Sequence, residues 1–249
     1  MKQSFTDIHT HILPSVDDGA QSMEDALELL RLQKNSGVER VMLTPHFYPQ
    51  IDDLAEFLDR RQQSYMALLS CWEESAMPQL QLGAEVHYSP ALVEMELEQL
   101  TLGKGSYLLL ELPDNEIPAY VEQVVKKILR KGITPILAHV ERCAYFRRQP
   151  EVLLRLIQAG ALGQVSARAL GNKKDRGFAE RCIKNGLGHF IASDLHNKTG
   201  KDRCLSELAE GKFEELLEWT ESFSIAVWND APVPPFGVCA VKQNIFGYY

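Results

Sequence analysis

Short apolar or β-branched runs alternate with amphipathic helical segments about seven times along the chain, and this alternation constrains the fold more than any other feature. Predicted strands end near residues 11, 44, 86, 111, 138, 166 and 193, and a last short strand is predicted at 224–227. Helices are predicted at about 22–36, 52–74, 90–100, 119–131, 150–159, 172–185 and 202–220. Repeated strand–helix units joined by short turns favour a parallel sheet.

The chain length of 249 residues suits one large α/β domain, and single-domain barrels reach this size. No linker, low-complexity tract or repeat beyond the strand–helix unit divides the sequence. We therefore predict a single domain over residues 1–249, in which residues 231–249 form an extended C-terminal tail.

Six of the seven main strands end in side chains that can bind a metal ion. These residues are His9 and His11, His46, Glu85, Glu111, His139, and Asp194 with His196. Each one alone has a simpler explanation, as a surface acid or a hydrogen-bonded histidine. In a barrel of parallel strands, however, the C-terminal strand ends converge at one mouth. The shared property of six strand ends therefore predicts a metal site there.

Composition and cysteine spacing exclude several other classes of protein. The net charge of −8 disfavours a nucleic-acid surface, which needs a basic footprint. No apolar run reaches the 18 or so residues of a membrane span, and the N-terminus lacks a secretory apolar region, so we expect a cytoplasmic protein. None of the five cysteines is followed by arginine at the sixth position, which excludes a Cys-x5-Arg phosphatase.

Six motifs follow one another in the order DIHTHILPSVDDG, TPHF, GAEV, LELP, LAHVER and SDLHN. Together they resemble the PHP (polymerase and histidinol phosphatase) superfamily, and within it the bacterial manganese-dependent protein-tyrosine phosphatases of capsule and exopolysaccharide synthesis. The resemblance runs from Asp7 to Asn197, about three quarters of the chain. It implies an α/β fold, a distorted (β/α)7 TIM-like barrel, with the metal site at the C-terminal ends of the strands.

The resemblance also implies three divalent metal ions. Their ligands would be His9, His11, Glu85 and Asp194 for the first ion, Glu85, Glu111 and His139 for the second, and Asp18, His46 and His196 for the third. Manganese is the implied metal, although nitrogen and oxygen ligands without thiolate also fit iron or zinc. The sequence leaves open whether Asp17 or Asp18 is the ligand.

The implied activity is metal-dependent hydrolysis of phosphotyrosine in proteins, without a cysteine nucleophile or a phosphoenzyme. A hydroxide bridging two ions would attack phosphorus. Glu85, His139 and Arg142 are the predicted catalytic residues. Arg142, Lys201 and Arg203 are predicted to bind substrate, and the choice between Lys201 and Arg203 stays open. The implied partner is an autophosphorylated membrane tyrosine kinase of polysaccharide synthesis with a tyrosine-rich tail.

Three alternatives use the same residues differently. A small-molecule phosphatase of the histidinol-phosphatase type would keep the whole site. A nuclease or polymerase-associated domain is disfavoured by the acidic composition. A non-catalytic metal-binding domain predicts missing ligands, whereas all nine implied ligand positions are filled here.

Overall fold

The computed structural model describes residues 4–71, 77–197 and 213–239, together with residues 205, 208, 241, 243–244 and 247–248. The strands are β1 (Phe5–Thr10), β2 (Val38–Leu43), β3 (His46–Phe47), β4 (Gln79–Leu82), β5 (Glu85–His87), β6 (Tyr107–Glu111), β7 (Thr134–Leu137), β8 (Leu162–Ser166), β9 (Phe190–Ala192), β10 (Gln243–Asn244) and β11 (Gly247–Tyr248). The helices are α1 (Met23–Asn35), α2 (Leu54–Ser70), α3 (Val121–Arg130), α4 (Ala144–Arg148), α5 (Pro150–Gln158), α6 (Ala167–Gly171), α7 (Arg176–Lys184) and α8 (Glu214–Trp228), with short 3-10 helices at Pro90–Val93 and Leu102–Lys104.

Nine of these strands form two parallel sheets, in the orders β1-β2-β4 and β3-β5-β6-β7-β8-β9. β2 leads into β3 and β4 leads into β5. The first strand of each pair belongs to the smaller sheet and the second strand belongs to the larger sheet. Pro45 lies at the first of these breaks, where it has no N–H to continue the ladder. The predicted parallel α/β architecture is confirmed.

The first and last of the nine strands meet beside the predicted site. Thr10 forms a parallel bridge with Leu195, just beyond β9. The His11 N–H donates to the Leu195 carbonyl, and the Asp194 N–H donates to the His9 carbonyl, both at 2.9 Å. The Asp7 carboxylate accepts from the Ser193 N–H at 3.0 Å. These bonds hold the end of β1 against the segment that follows β9.

β1, β8, β9 and most of β6 are buried on both faces, between two apolar clusters. In β6, Leu108 and Leu110 belong to the larger cluster beneath the helices, whereas Leu109 belongs to the inner one. This explains the continuous apolar run at 107–110, because neither face of the strand meets water. Phe223 and Val227 of α8 complete the inner cluster beside the beginnings of the strands.

Two predicted elements are wrong. Residues 224–227 belong to α8, because Leu217, Thr220, Phe223 and Val227 recur at helical spacing and are buried together. The helix predicted at 90–100 is only a single 3-10 turn at Pro90–Val93. Among the described residues, no helix has the length and apolar character that crossing a membrane requires.

His189 is buried before β9, at the opposite end of that strand from Asp194. Its Nδ1 accepts from the Gly163 N–H at 3.0 Å, and its ring meets the Phe236 ring edge-on at 3.9 Å. Burial lowers the pKa of His189 from 6.5 to about 3. The folded protein therefore keeps this imidazole neutral at a pH where the unfolded chain protonates it.

We expect His189→Asn to weaken the acid sensitivity of folding. Between the two pKa values the unfolded state binds the extra proton, so stability falls as the pH drops. Through this one group, the fall from pH 7.5 to pH 5 is about 2 kcal/mol. Asparagine keeps an acceptor for Gly163 but does not titrate. Urea unfolding at both pH values should show that the variant loses less stability between pH 7.5 and pH 5, by that amount. Equal losses in the variant and the wild type would contradict the assignment.

Candidate metal centre

The end of β1, the first residue of β5 and the segment after β9 bring four side chains into one buried group. His9 and His11 point to the same side of β1, and their Nε2 atoms are 3.1 Å apart. Glu85 Oε2 lies 3.2 Å from the first Nε2 and 3.3 Å from the second. Asp194 Oδ1 lies at the same two distances. The structure thus brings together the first implied ligand set, entirely buried.

Two further side chains orient these imidazoles. Gln164 Oε1 lies 3.2 Å from His9 Nδ1, and Asp17 Oδ2 lies 2.7 Å from His11 Nδ1. Both partners accept a hydrogen bond from Nδ1–H, which leaves the Nε2 lone pairs directed at the group. Gln164 also accepts from the His139 N–H at 2.8 Å and so joins β1 to the loop after β7.

The second implied ligand set is arranged around the other oxygen of Glu85. His139 Nε2 lies 2.9 Å from Glu85 Oε1 and 3.7 Å from Glu111 Oε1. His46 lies here as well, since its Nδ1 is 3.0 Å from Glu85 Oε2 and 3.9 Å from Glu111 Oε2. The compact group in the structure is thus His46, Glu85 and Glu111, and His139 lies beside it. His87 Nδ1 lies 3.1 Å from Glu111 Oε2, where it positions that carboxylate. Glu85 is therefore common to both sets.

The third implied set lies where the loop after β1 opens to solvent. Asp18 Oδ1 is 3.6 Å from His46 Nε2 and 3.5 Å from His196 Nε2. Asp17 instead accepts from His11 and from the His46 N–H, so Asp18 faces the two imidazoles. A Cβ at Gly19 would lie 1.9 Å from the His11 carbonyl oxygen. Only glycine therefore lets this loop fold back against β1.

A divalent cation fits this centre because buried polar atoms converge there without a hydrogen bond. In the described part of the chain these atoms are Glu85 Oε2, Asp194 Oδ1 and His46 Nδ1. Buried polar atoms are costly without a partner. Burial alone would raise the pKa of Glu85 and Asp194, but the neighbouring imidazoles hold both pKa values below their ordinary range. Anionic oxygens and imidazole nitrogens form a suitable donor set for a transition metal ion.

Two of the converging residues have unusual backbone conformations. His139 has φ of 29° and Asp194 has φ of 55°, and each lies two residues beyond the end of a strand, β7 and β9 respectively. Residues other than glycine rarely adopt this left-handed backbone region, and each such residue costs about 1–3 kcal/mol of conformational free energy. The neighbouring hydrogen bonds of the sheets hold both residues there and aim their side chains into the centre.

Of the predicted substrate-binding residues, Arg142 lies beside the centre, and the other two lie outside the described part of the chain. Arg142 Nη2 bonds Asp194 Oδ2, and the Arg142 side chain is 36% exposed at the edge of the centre. Lys201 and Arg203 lie outside the described residues. Tyr48 packs its ring against His46 at 5.3 Å, and burial together with the carboxylates raises its pKa to about 12.

Sequence reasoning missed Gln164, since a single glutamine in a strand carries no recognisable pattern. We expect Gln164→Met to weaken metal affinity about 10–100-fold, because His9 loses the acceptor that fixes its tautomer. Metal content after dialysis against graded chelator measures this. Gln33→Met is the matched control, since Gln33 is equally buried but bonds Asp7 and Ser193. Equal metal loss in both variants would show general destabilisation instead.

Together the fold and the site define a parallel α/β protein with a histidine–carboxylate centre, suited to divalent metal, at the C-terminal strand ends. A family model described as capsular polysaccharide synthesis, CpsB/CapC, matches residues 5–212. The chain belongs to the CpsB/CapC family, and the predicted family resemblance is confirmed.

Relatives extend over nearly the whole chain. The putative tyrosine-protein phosphatase CapC of Staphylococcus aureus is 31% identical over 91% of this chain and 92% of its own. The tyrosine-protein phosphatase YwqE of Bacillus subtilis is 31% identical over 98% of this chain and 99% of its own. A solved structure from work on YwqE and on CpsB of Streptococcus pneumoniae, described as unique metal-dependent tyrosine phosphatases, matches with a TM-score of 0.83. It is 26% identical and covers 96% of this chain and 100% of its own.

Proposed function

We propose that the protein is a metal-dependent phosphotyrosine-protein phosphatase of capsular or exopolysaccharide synthesis. The observation that carries this proposal is the buried group of His9, His11, Glu85 and Asp194, whose carboxylate oxygens converge without hydrogen bonds. Relatives named tyrosine-protein phosphatases match almost end to end, which supports the substrate class. Of the cysteines that the structure describes, Cys143 and Cys182 are buried, and burial raises the pKa of Cys143 to about 12, which makes a poor nucleophile.

The proposal includes three divalent ions, with Mn²⁺ preferred and iron or zinc as alternatives. Their proposed ligands are His9, His11, Glu85 and Asp194 for one ion, Glu85, Glu111 and His139 for another, and Asp18, His46 and His196 for the third. When bound, such ions acidify water and offset the negative charge of phosphoryl oxygens. Three of them outweigh four ligand carboxylates, so an acidic protein would present a locally positive pocket.

The residues of the chain then have distinct tasks. Glu85 and His139 hold the ions at the reacting phosphate, while the Arg142 guanidinium, at the edge of the centre, binds phosphoryl oxygens. Lys201 or Arg203 is the second proposed phosphate-binding residue. In the reaction, the bond between phosphorus and the tyrosine oxygen breaks, water oxygen adds to phosphorus, and a proton passes to the departing phenolate. No phosphoenzyme forms.

The finer architecture is also part of the proposal. We infer that the strands form one distorted (β/α)7 barrel of the PHP type, as a single domain over residues 1–249 with 231–249 as a tail. The bridge between Thr10 and Leu195, which joins the first strand to the end of the last, supports this. The proposed setting is the cytoplasm, and the proposed substrate is the tyrosine-rich tail of a membrane polysaccharide tyrosine kinase.

One comparison of substrates tests the proposed function. Metal content of the purified protein is measured, and turnover is then compared for a phosphotyrosine peptide, the matching phosphoserine peptide and histidinol phosphate, with and without chelator. We expect the phosphotyrosine peptide to be preferred and chelator to abolish turnover. Equal or faster turnover of histidinol phosphate would overturn the assignment, and activity that survives complete metal removal would overturn the metal centre.

A further inference from the structure

A cavity of about 490 Å³ opens beside the candidate metal centre. The segments after β6, β7 and β8, including α6, form its walls and supply Asp114, Arg142, Arg168 and Lys174. Arg142 is common to both places, since it bonds Asp194 in the centre and also lines the cavity. Whatever binds at the centre therefore lies next to this cavity.

The polar groups of one wall are already paired with each other. Arg147 bonds the carboxylate of Asp175 and, at 2.7 Å, the backbone carbonyl of Glu141. The Glu141 carboxylate, which is buried, accepts from the Ser166 hydroxyl at 2.5 Å. These contacts fix the wall and leave it little capacity to bind anything else.

Two cations in the cavity remain without a partner. Arg168 and Lys174 are exposed, and neither side chain makes a hydrogen bond or ion pair within the part of the chain that the structure describes. Asp114 also lines the cavity and is exposed, and its side chain makes no hydrogen bond or ion pair within the described residues. With Arg142, three cationic groups therefore point to an anionic ligand.

We propose that this cavity binds a second anionic group of the substrate, a carboxylate or phosphoryl group carried by a residue close to the phosphotyrosine. The inference rests on the proposed function and adds a sequence preference to it. The net charge of −8 would repel an acidic polypeptide, so attraction needs a local cationic surface. The cavity lies within the size range of sites that take a side chain or small ligand.

Peptides with one phosphotyrosine test this preference on the metal-loaded protein. Aspartate, or a non-hydrolysable phosphonate in place of a second phosphate, is moved through the three positions on each side, with an alanine-flanked peptide as reference. We expect one position to lower KM roughly tenfold, with little change in kcat. Preference for aspartate or for phosphonate identifies the anion. No preference at any position would overturn the proposal.

Variants assign the preference to the cavity. Arg168→Gln combined with Lys174→Gln should remove the roughly tenfold advantage and leave turnover of the alanine-flanked peptide within about twofold. Arg31→Gln combined with Lys173→Gln removes the same charges from exposed positions outside the cavity, and should keep the preference. If both double variants lose it equally, the effect is general electrostatics and the cavity is not the site.

Binding separates this inference from the proposed function. Calorimetric titration with peptides whose two anions are both phosphonates measures affinity without turnover. Failure of the proposed function would appear as absent hydrolysis of every phosphotyrosine peptide. Failure of the inference would appear as equal affinity of wild type and the Arg168→Gln, Lys174→Gln protein, whether or not hydrolysis occurs.

Discussion

Replacement of Glu85 by glutamine is expected to lower kcat at least about 1000-fold, the equivalent of about 4 kcal/mol of transition-state stabilisation. This carboxylate is fully buried and lies within 3.3 Å of nitrogens from His9, His11, His46 and His139. An amide there removes one negative charge from two proposed ion positions and presents a donor where acceptors are needed. Metal analysis of the purified variant should show at least one ion lost per chain.

Glu221→Gln is the matched control for this experiment. Glu221 is a partly buried carboxylate outside the centre, and it bonds Thr6 and Arg40 beside the beginning of β1. We expect its replacement to change thermal stability slightly and activity less than about twofold. Full activity in the Glu85 variant, or equal loss in both variants, would contradict the central position of Glu85.

Replacement of Arg142 by alanine is expected to lower kcat/KM about 100–1000-fold. The guanidinium is partly exposed at the edge of the centre, bonded to Asp194, where it can bind two phosphoryl oxygens at once. Lysine carries the charge without the planar fork, so Arg142→Lys should recover only part of the activity. Steady-state kinetics on a phosphotyrosine peptide measure both variants.

Arg148→Ala serves as the control, because Arg148 is exposed nearby and its guanidinium bonds only the Asn115 carbonyl, at 3.4 Å, within the described residues. The activity of the Arg148→Ala variant should stay within about twofold of wild type. Metal content decides what Arg142 does. Retained metal with lost activity supports phosphate binding, whereas lost metal would show that Arg142 acts by holding Asp194.

The sequence predicted the parallel α/β architecture and the convergence of strand-end ligands for a simple reason. Continuous apolar runs are typical of parallel strands, which are buried on both faces. The ends of parallel strands that carry the ligands then meet at one edge through topology alone. His9 and Glu85 meet in this way although they are far apart in sequence. The choice between Asp17 and Asp18 needed the structure, because it depends on how the loop folds over His11.

Long-range packing decided what the sequence did not predict. The segment 224–227 is apolar and partly β-branched, which suggests a strand, but its place in α8 is determined by residues several turns earlier. Gln164 contacts a histidine 155 positions away, and no local pattern reveals such a contact. The polar side chains of the cavity beside Arg142 come from three separate segments, after β6, β7 and β8, so their proximity appears only after folding.

The His46 imidazole lies between two of the proposed ion positions. His46 faces Glu85 with Nδ1 and Asp18 with Nε2, but a neutral imidazole has a single lone pair. Besides its proposed place with Asp18 and His196, His46 is also grouped with Glu85 and Glu111. Ions at these two positions would compete for the ring, and its tautomer would select the position that receives it. Occupation of one position would then lower affinity at the other, which is negative coupling through a shared ligand. Metal stoichiometry should consequently rise in separate steps as the metal concentration increases, and the weakest step should be the one that requires His46 to exchange its ring proton.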